Sequence, residues 1–201
     1  MAKENTELMK KIIDDINKYI GNDKDYNGNI EVRDHENIPI RIINKGEEIS
    51  RGKNAFQTDI ALISSIQENK EEENFLPLVI IEVKGSESIT THDILNYSFK
   101  ARRHKNIYPW LRYGMVWSSL EKKCVPKKLY MNNESLDFAF NFNGDVDNNF
   151  QNFYENILRK QIIISSKLHE ILNGETGTPY FSSNVDFGYK GKEDCKEIEG
   201  D

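Results

Sequence analysis

Apolar residues near the start of the chain recur with a helical period. Leu8, Ile12, Ile16 and Tyr19 form one stripe, with Met9, Ile13 and Ile20 beside it. That spacing predicts a helix burying one face, with Asn5 or Thr6 as its cap and Gly21 as its stop. Residues 22–29 are Asn, Asp and Gly rich and read as a loop. Residues 30–43 carry Ile30, Val32, Ile38, Ile40, Ile42 and Ile43, a pattern for one or two strands, and 46–54 is a polar loop. The clearest strands are 56–66 (FQTDIALISSI) and 76–84 (LPLVIIEVK), joined by a charged connector.

Beyond them, residues 90–110 read as a helix, with Ile94, Tyr97 and Ala101 roughly on one face. Residues 113–118 (YGMVWS) read as a buried strand and 128–142 as one or two more. The longest helix is expected over 147–172, ending at Asn173-Gly174. The expected architecture is α/β: a mixed central β-sheet flanked by helices. It forms one domain over residues 1–173, with a polar, loosely docked tail over 174–201.

Composition narrows the function classes. The chain has 201 residues, 30% charged and 37% apolar, as a soluble folded domain would. No apolar run approaches the roughly 20 residues of a membrane span, and the MAKENTELMKK start has no apolar core of a secretory signal. The expectation is a cytoplasmic protein in which Cys124 and Cys195 are reduced thiols. His92 and His104 read as ordinary exposed residues, and Trp110 and Trp117 as core. The formal net charge is −6, which alone argues against nucleic acid. The charge is uneven, however: residues 99–130 hold nine Lys or Arg against one acid, Glu121. A local basic face governs phosphate binding more than the overall sum does.

Candidate chemistry lies at the open end of the central hairpin. An antiparallel pairing sets the start of the first strand against the end of the second. A connector centred near residues 71–72 pairs position 59 with about position 84, bringing Asp59, Glu82 and Lys84 together. Glu82 and Lys84 share a face, since alternate side chains do. Leu78-Val79-Ile80-Ile81 is apolar on both faces, so the strand is interior. Charges at its end are costly to bury unless they pair or bind something. A hard divalent cation such as magnesium relieves repulsion between two carboxylates.

Thr58-Asp59 followed by Ile60-Ala61-Leu62-Ile63, then Leu78 through Lys84, resembles the PD-(D/E)xK nuclease superfamily over residues 7–118, at a spacing ordinary for that group. Thr58 stands where the motif has proline. The glutamine-tyrosine signature of the RecB-like branch is missing, Asp93 lying four before Tyr97 instead. The resemblance implies a restriction-endonuclease-like core and a Mg2+-dependent phosphodiesterase, with Mn2+ as a substitute. Its substrate would be double-stranded DNA. Asp59 and Glu82 would be metal ligands and catalytic residues, Lys84 the catalytic lysine, and Glu7 a further metal acid, with Glu48 as a second option. A stand-alone chain of this size most resembles a type II restriction endonuclease: a homodimer on two-fold symmetric DNA, paired with a cognate methyltransferase.

Candidate DNA contacts are Lys100, Arg102, Arg103, Lys105, Ser86 and His92, with Gln57, Ser88, Thr90 and Thr91 behind them. Two other readings stand beside this one: a structure-specific repair or junction nuclease of the same fold, and a binding module without catalysis.

Overall fold

The structure, a computed structural model, describes residues 2–26, 29–42, 49–65, 76–85, 89–120 and 124–178. Helix α1 spans Ala2–Asn22. Its Ile12, Ile16 and Ile20 recur at the i, i+4 spacing that stacks side chains on one face, and all three are buried. This face packs on strands β1 (Ile30–Asp34) and β5 (Leu76–Lys84). The remaining early strands are β2 (Asn37–Pro39), β3 (Ala55–Gln57) and β4 (Ile60–Ser64). β2 and β3 pair as a separate two-stranded ribbon.

The central sheet has five strands in the order β1-β4-β5-β6-β7, where β6 is Arg112–Trp117 and β7 is Phe138–Asn141. β1, β4 and β5 run antiparallel, whereas β5, β6 and β7 run parallel. β5 is therefore the strand at which the sheet changes character. Parallel neighbours need a crossover, and two helices supply them. Helix α2 (Thr91–Lys105) links β5 to β6, and α3 (Lys127–Asn132) links β6 to β7. The chain then returns over the α1 face as α4 (Val146–Phe153), a π-helical turn at Tyr154–Leu158, and α5 (Arg159–Leu172). The architecture is thus α/β, a mixed five-stranded sheet flanked by helices. No helix among the described residues is long and apolar enough to cross a membrane.

Several expectations change. The stretch read as one strand over 56–66 breaks at Thr58-Asp59, and Ile66 lies outside the described residues. Buried Thr58 hydrogen-bonds the Glu36 carbonyl through both its backbone N–H (2.9 Å) and its hydroxyl (3.1 Å), which pins the break. The first part of 128–142, read as strand, is helix α3 instead. Pro126 occupies its N-cap position in extended backbone, with no side-chain capping bond. The helix expected over 147–172 carries the π turn. In a π turn, residues five apart align, so Tyr154 and Arg159 both reach Asp23, at 3.0 and 2.8 Å.

Cys124 is disulfide-bonded and not a free thiol. Cys195, the only other cysteine, lies outside the described residues. His104 is fully buried and not exposed: its Nε2 meets the Ile38 carbonyl at 3.2 Å and its ring stacks on Tyr113. Trp117 is core, as expected, whereas Trp110 is only half-buried, its Nε1 donating to the Pro77 carbonyl at 3.0 Å.

Candidate active site

The hairpin of β4 and β5 carries the first two site residues. Ile60 pairs with Ile81, so Asp59 comes level with Glu82, two residues short of the Lys84 partner expected. The pairing begins with Ser64 opposite Leu76, so the hairpin turns earlier than the expected centre at residues 71–72, and a β-bulge between Leu62 and Ile63 recovers only one residue of that offset. Asp59 then folds back onto the neighbouring strand. Its Oδ2 accepts the Val83 N–H at 2.7 Å, and its carbonyl accepts the His35 N–H at 3.0 Å. His35 sits at φ +50°, a left-handed conformation uncommon outside glycine. Asp59 opens on a small cavity of about 80 Å³, lined also by Thr6, Met9, His35 and Val83.

Glu82 is 1% exposed. Its Oε1 accepts the Lys100 ammonium at 3.0 Å and a short hydrogen bond from the Tyr113 hydroxyl. Burial pushes the Glu82 carboxyl up to about 7; the Lys100 charge opposes that shift and the Asp59 charge adds to it. Burial likewise drives the Tyr113 hydroxyl far above its ordinary value, with the Glu82 charge as the second cause. Tyr113 therefore stays protonated and donates.

Lys84 reaches Asp93 of α2 at 3.1 Å. Asp93 also closes the α2 capping box, accepting from the Thr90 backbone at 2.8 Å and hydroxyl at 2.7 Å. Burial alone would raise Asp93, but these bonds and Lys84 outweigh it and hold the carboxyl below its ordinary value. Two ion pairs thus tie the end of β5 to α2, and the lysine comes from β5 in one and from α2 in the other.

The basic candidates divide. Lys100 points inward onto Glu82, and its ammonium also donates to the Gln57 carbonyl at 3.1 Å and lies 5.6 Å from the Tyr97 ring centroid. Lys105 is held by Asp137 at 2.6 Å and the Ser135 carbonyl at 2.8 Å. Arg102 and Arg103 are exposed, Arg102 being 3.8 Å from Glu134, and His92 is exposed on the first turn of α2. Glu7 is exposed on α1 and does not line the Asp59 cavity. Ser86, Ser88 and Glu48 lie outside the described residues.

The donor set fits a hard divalent cation. Among the described residues no three acidic, His or Cys side chains converge as a ready cage, but magnesium is commonly held by one or two carboxylates, with water and substrate phosphate completing the shell. Asp59 and Glu82 are near enough for the charge of one to raise the other. Each has one side-chain oxygen without a hydrogen bond to the described residues, Oδ1 of Asp59 and Oε2 of Glu82. No model of a known protein family, no curated protein and no solved structure matches this chain.

Sequence reasoning missed Tyr113 and the pairing role of Asp93. The Thr90-x-x-Asp93 spacing was a readable capping signal. Tyr113 was not readable, because its place on the Glu82 face depends on the β5–β6 register, Ile80 opposite Tyr113 and Glu82 opposite Met115.

Proposed function

We propose that this chain is a Mg2+-dependent endonuclease that hydrolyses phosphodiester bonds of double-stranded DNA, with a restriction-endonuclease-like core. The observation that carries the reading is the closeness of two carboxylates at the end of β5, Asp59 and the buried Glu82, with Lys84 following Glu82 on the same face of the strand. Burying a carboxylate costs stability, and a buried ion pair offsets that cost only in part.

When bound, a divalent cation supplies Lewis acidity and an activated water. Asp59 and Glu82 would hold it through the oxygens that have no hydrogen bond to the described residues, Tyr113 and the Val83 N–H would fix the two carboxylates, and Lys84 would orient water or stabilise charge growing on the phosphorus oxygens. Mn2+, equally oxygen-seeking, substitutes. Arg102 and Arg103 offer exposed cations for the DNA backbone. Sequence specificity, a homodimer, a cytoplasmic setting and a methyltransferase partner extend the same proposal by analogy with type II restriction enzymes.

A second reading is favoured by one observation: both acids already have protein partners, as a binding module without catalysis would arrange them. Digestion of long unmethylated DNA, with Mg2+ and with a chelator, separates the readings. Discrete fragments in Mg2+ alone support a sequence-specific endonuclease. A smear means cutting without sequence choice. Cleavage only of distorted or branched DNA points to a junction enzyme. No cleavage of any substrate overturns the nuclease reading.

A further inference from the structure

Lys100 sits where a DNA-contacting lysine would not be expected to rest. Its ammonium is fixed by Glu82 Oε1 at 3.0 Å and the Gln57 carbonyl at 3.1 Å, with the Tyr97 ring 5.6 Å away. Its side chain is 19% exposed, so the stem already reaches the surface. Arg103, one helical turn on, is exposed beside it. We propose that Lys100 is a substrate-phosphate ligand held in reserve: it pairs with Glu82 while the metal site is empty and turns out to the DNA backbone once the site is filled.

The proposal rests on the nuclease reading and follows from charge balance. Three carboxylates, Asp59, Glu82 and Asp93, surround two ammonium groups, Lys84 and Lys100. With a divalent cation bound, that balance changes sign, and Lys100 faces a like charge across a shared carboxylate at close range. The two lysines differ in what holds them. Lys84 pairs with Asp93, whose other bonds go to Thr90, away from the proposed metal ligands. Lys100 pairs with a proposed metal ligand itself, so it is the one displaced. Its four-carbon stem is flexible enough to carry the ammonium outward without moving α2. Once Lys100 has turned out, the cation and Lys84 balance the three carboxylates, and the freed ammonium supplies the phosphodiester with a charge-assisted hydrogen bond.

The test reads Lys100 directly in the wild-type protein. Reductive methylation, followed residue by residue by mass spectrometry, is run in chelator, in saturating Ca2+, and in Ca2+ with a DNA duplex. Exposed Lys127 serves as internal reference. Lys100 is expected to be protected in chelator, to react several-fold faster in Ca2+, and to be protected again by the duplex. Calorimetry on the same samples reports whether Ca2+ binds. Binding without a rise in Lys100 reactivity overturns the proposal and leaves the nuclease reading standing, whereas absence of Ca2+ binding removes the reading beneath it. A rise that the duplex does not reverse overturns the phosphate role. A second measurement uses fluorescence anisotropy of a labelled duplex. Lys100→Met is expected to lose about tenfold in affinity in Ca2+, the weight of one such bond, and little in chelator. An equal loss in both conditions would make Lys100 an ordinary surface contact and overturn the proposal.

Discussion

The two faces of the central sheet are built from the same strand to opposite ends. On one side Val79, Ile81 and Val83 of β5 join a dry cluster with Ile12 and Ile16 of α1 and with Phe142, Phe150 and Phe153. The Phe142 and Phe153 rings meet edge to face with centroids 5.4 Å apart. On the other side Ile80 belongs to a second apolar cluster with Ile94, Ala101, Tyr113 and Met115, but Glu82 and Lys84 follow it. The buried acid and the buried histidine of the described residues, Glu82 and His104, both lie on this α2 side. One face stabilises the fold by excluding water. The other carries charges that cost stability and are held by a small set of ion pairs, which is where a protein keeps chemistry instead of packing.

The comparison breaks if the faces respond alike to substitution. The largest expected effect on stability is on the dry face. Phe153 is fully buried, and Phe153→Ala should lower the unfolding free energy by about 3–5 kcal/mol in urea titration while leaving divalent-cation affinity unchanged. Lys84→Ala should act the other way round. Asp93 keeps its Thr90 bonds, so stability should change by less than about 1 kcal/mol. Cleavage should fall about a hundredfold to a thousandfold. Cleavage at the wild-type rate would remove Lys84 from the mechanism.

A smaller effect concerns pH. Burial raises Glu82 from 4.5 to about 7, so the folded state holds that proton more tightly and stability is lost as pH rises through this window. Burial lowers His104 from 6.5 to about 4, so the folded state favours the neutral ring and stability is gained as pH rises through that one. Across the overlap the two offset. Glu82→Gln removes the first, and its stability should climb with pH there by on the order of 1 kcal/mol per unit more steeply than in the wild type. Equal slopes in urea midpoints would mean that Glu82 titrates as if exposed. The smallest effect is expected from Tyr113→Phe, which removes one hydrogen bond on Glu82 and should cost about 1 kcal/mol.

Much of this division was legible in the sequence. β5 was read over its observed span, Leu76–Lys84, and Glu82 and Lys84 were placed on one face because strand periodicity is strict. What was lost depended on long-range geometry. The hairpin is centred nearer the start of the chain than the connector's midpoint suggests, Ser64 meeting Leu76, so Asp59 comes level with Glu82 and not with Lys84. Lys100 looked like one cation in a basic run, because nothing in KARRHK marks the lysine that faces inward. His104 belongs to the same run and is buried by Tyr113 and the β2–β3 ribbon, elements distant in sequence. The π turn at Tyr154–Leu158 follows from a tertiary demand, two side chains reaching one Asp23, which helical periodicity does not encode.

The central claim is that the charged end of β5 is a divalent-cation site, and calorimetric titration with Ca2+ tests it most directly. One binding event is predicted in the wild type and in Phe153→Ala, greatly weakened in Asp59→Ala and in Glu82→Gln. No binding in the wild type, or unchanged affinity in Asp59→Ala, would contradict it.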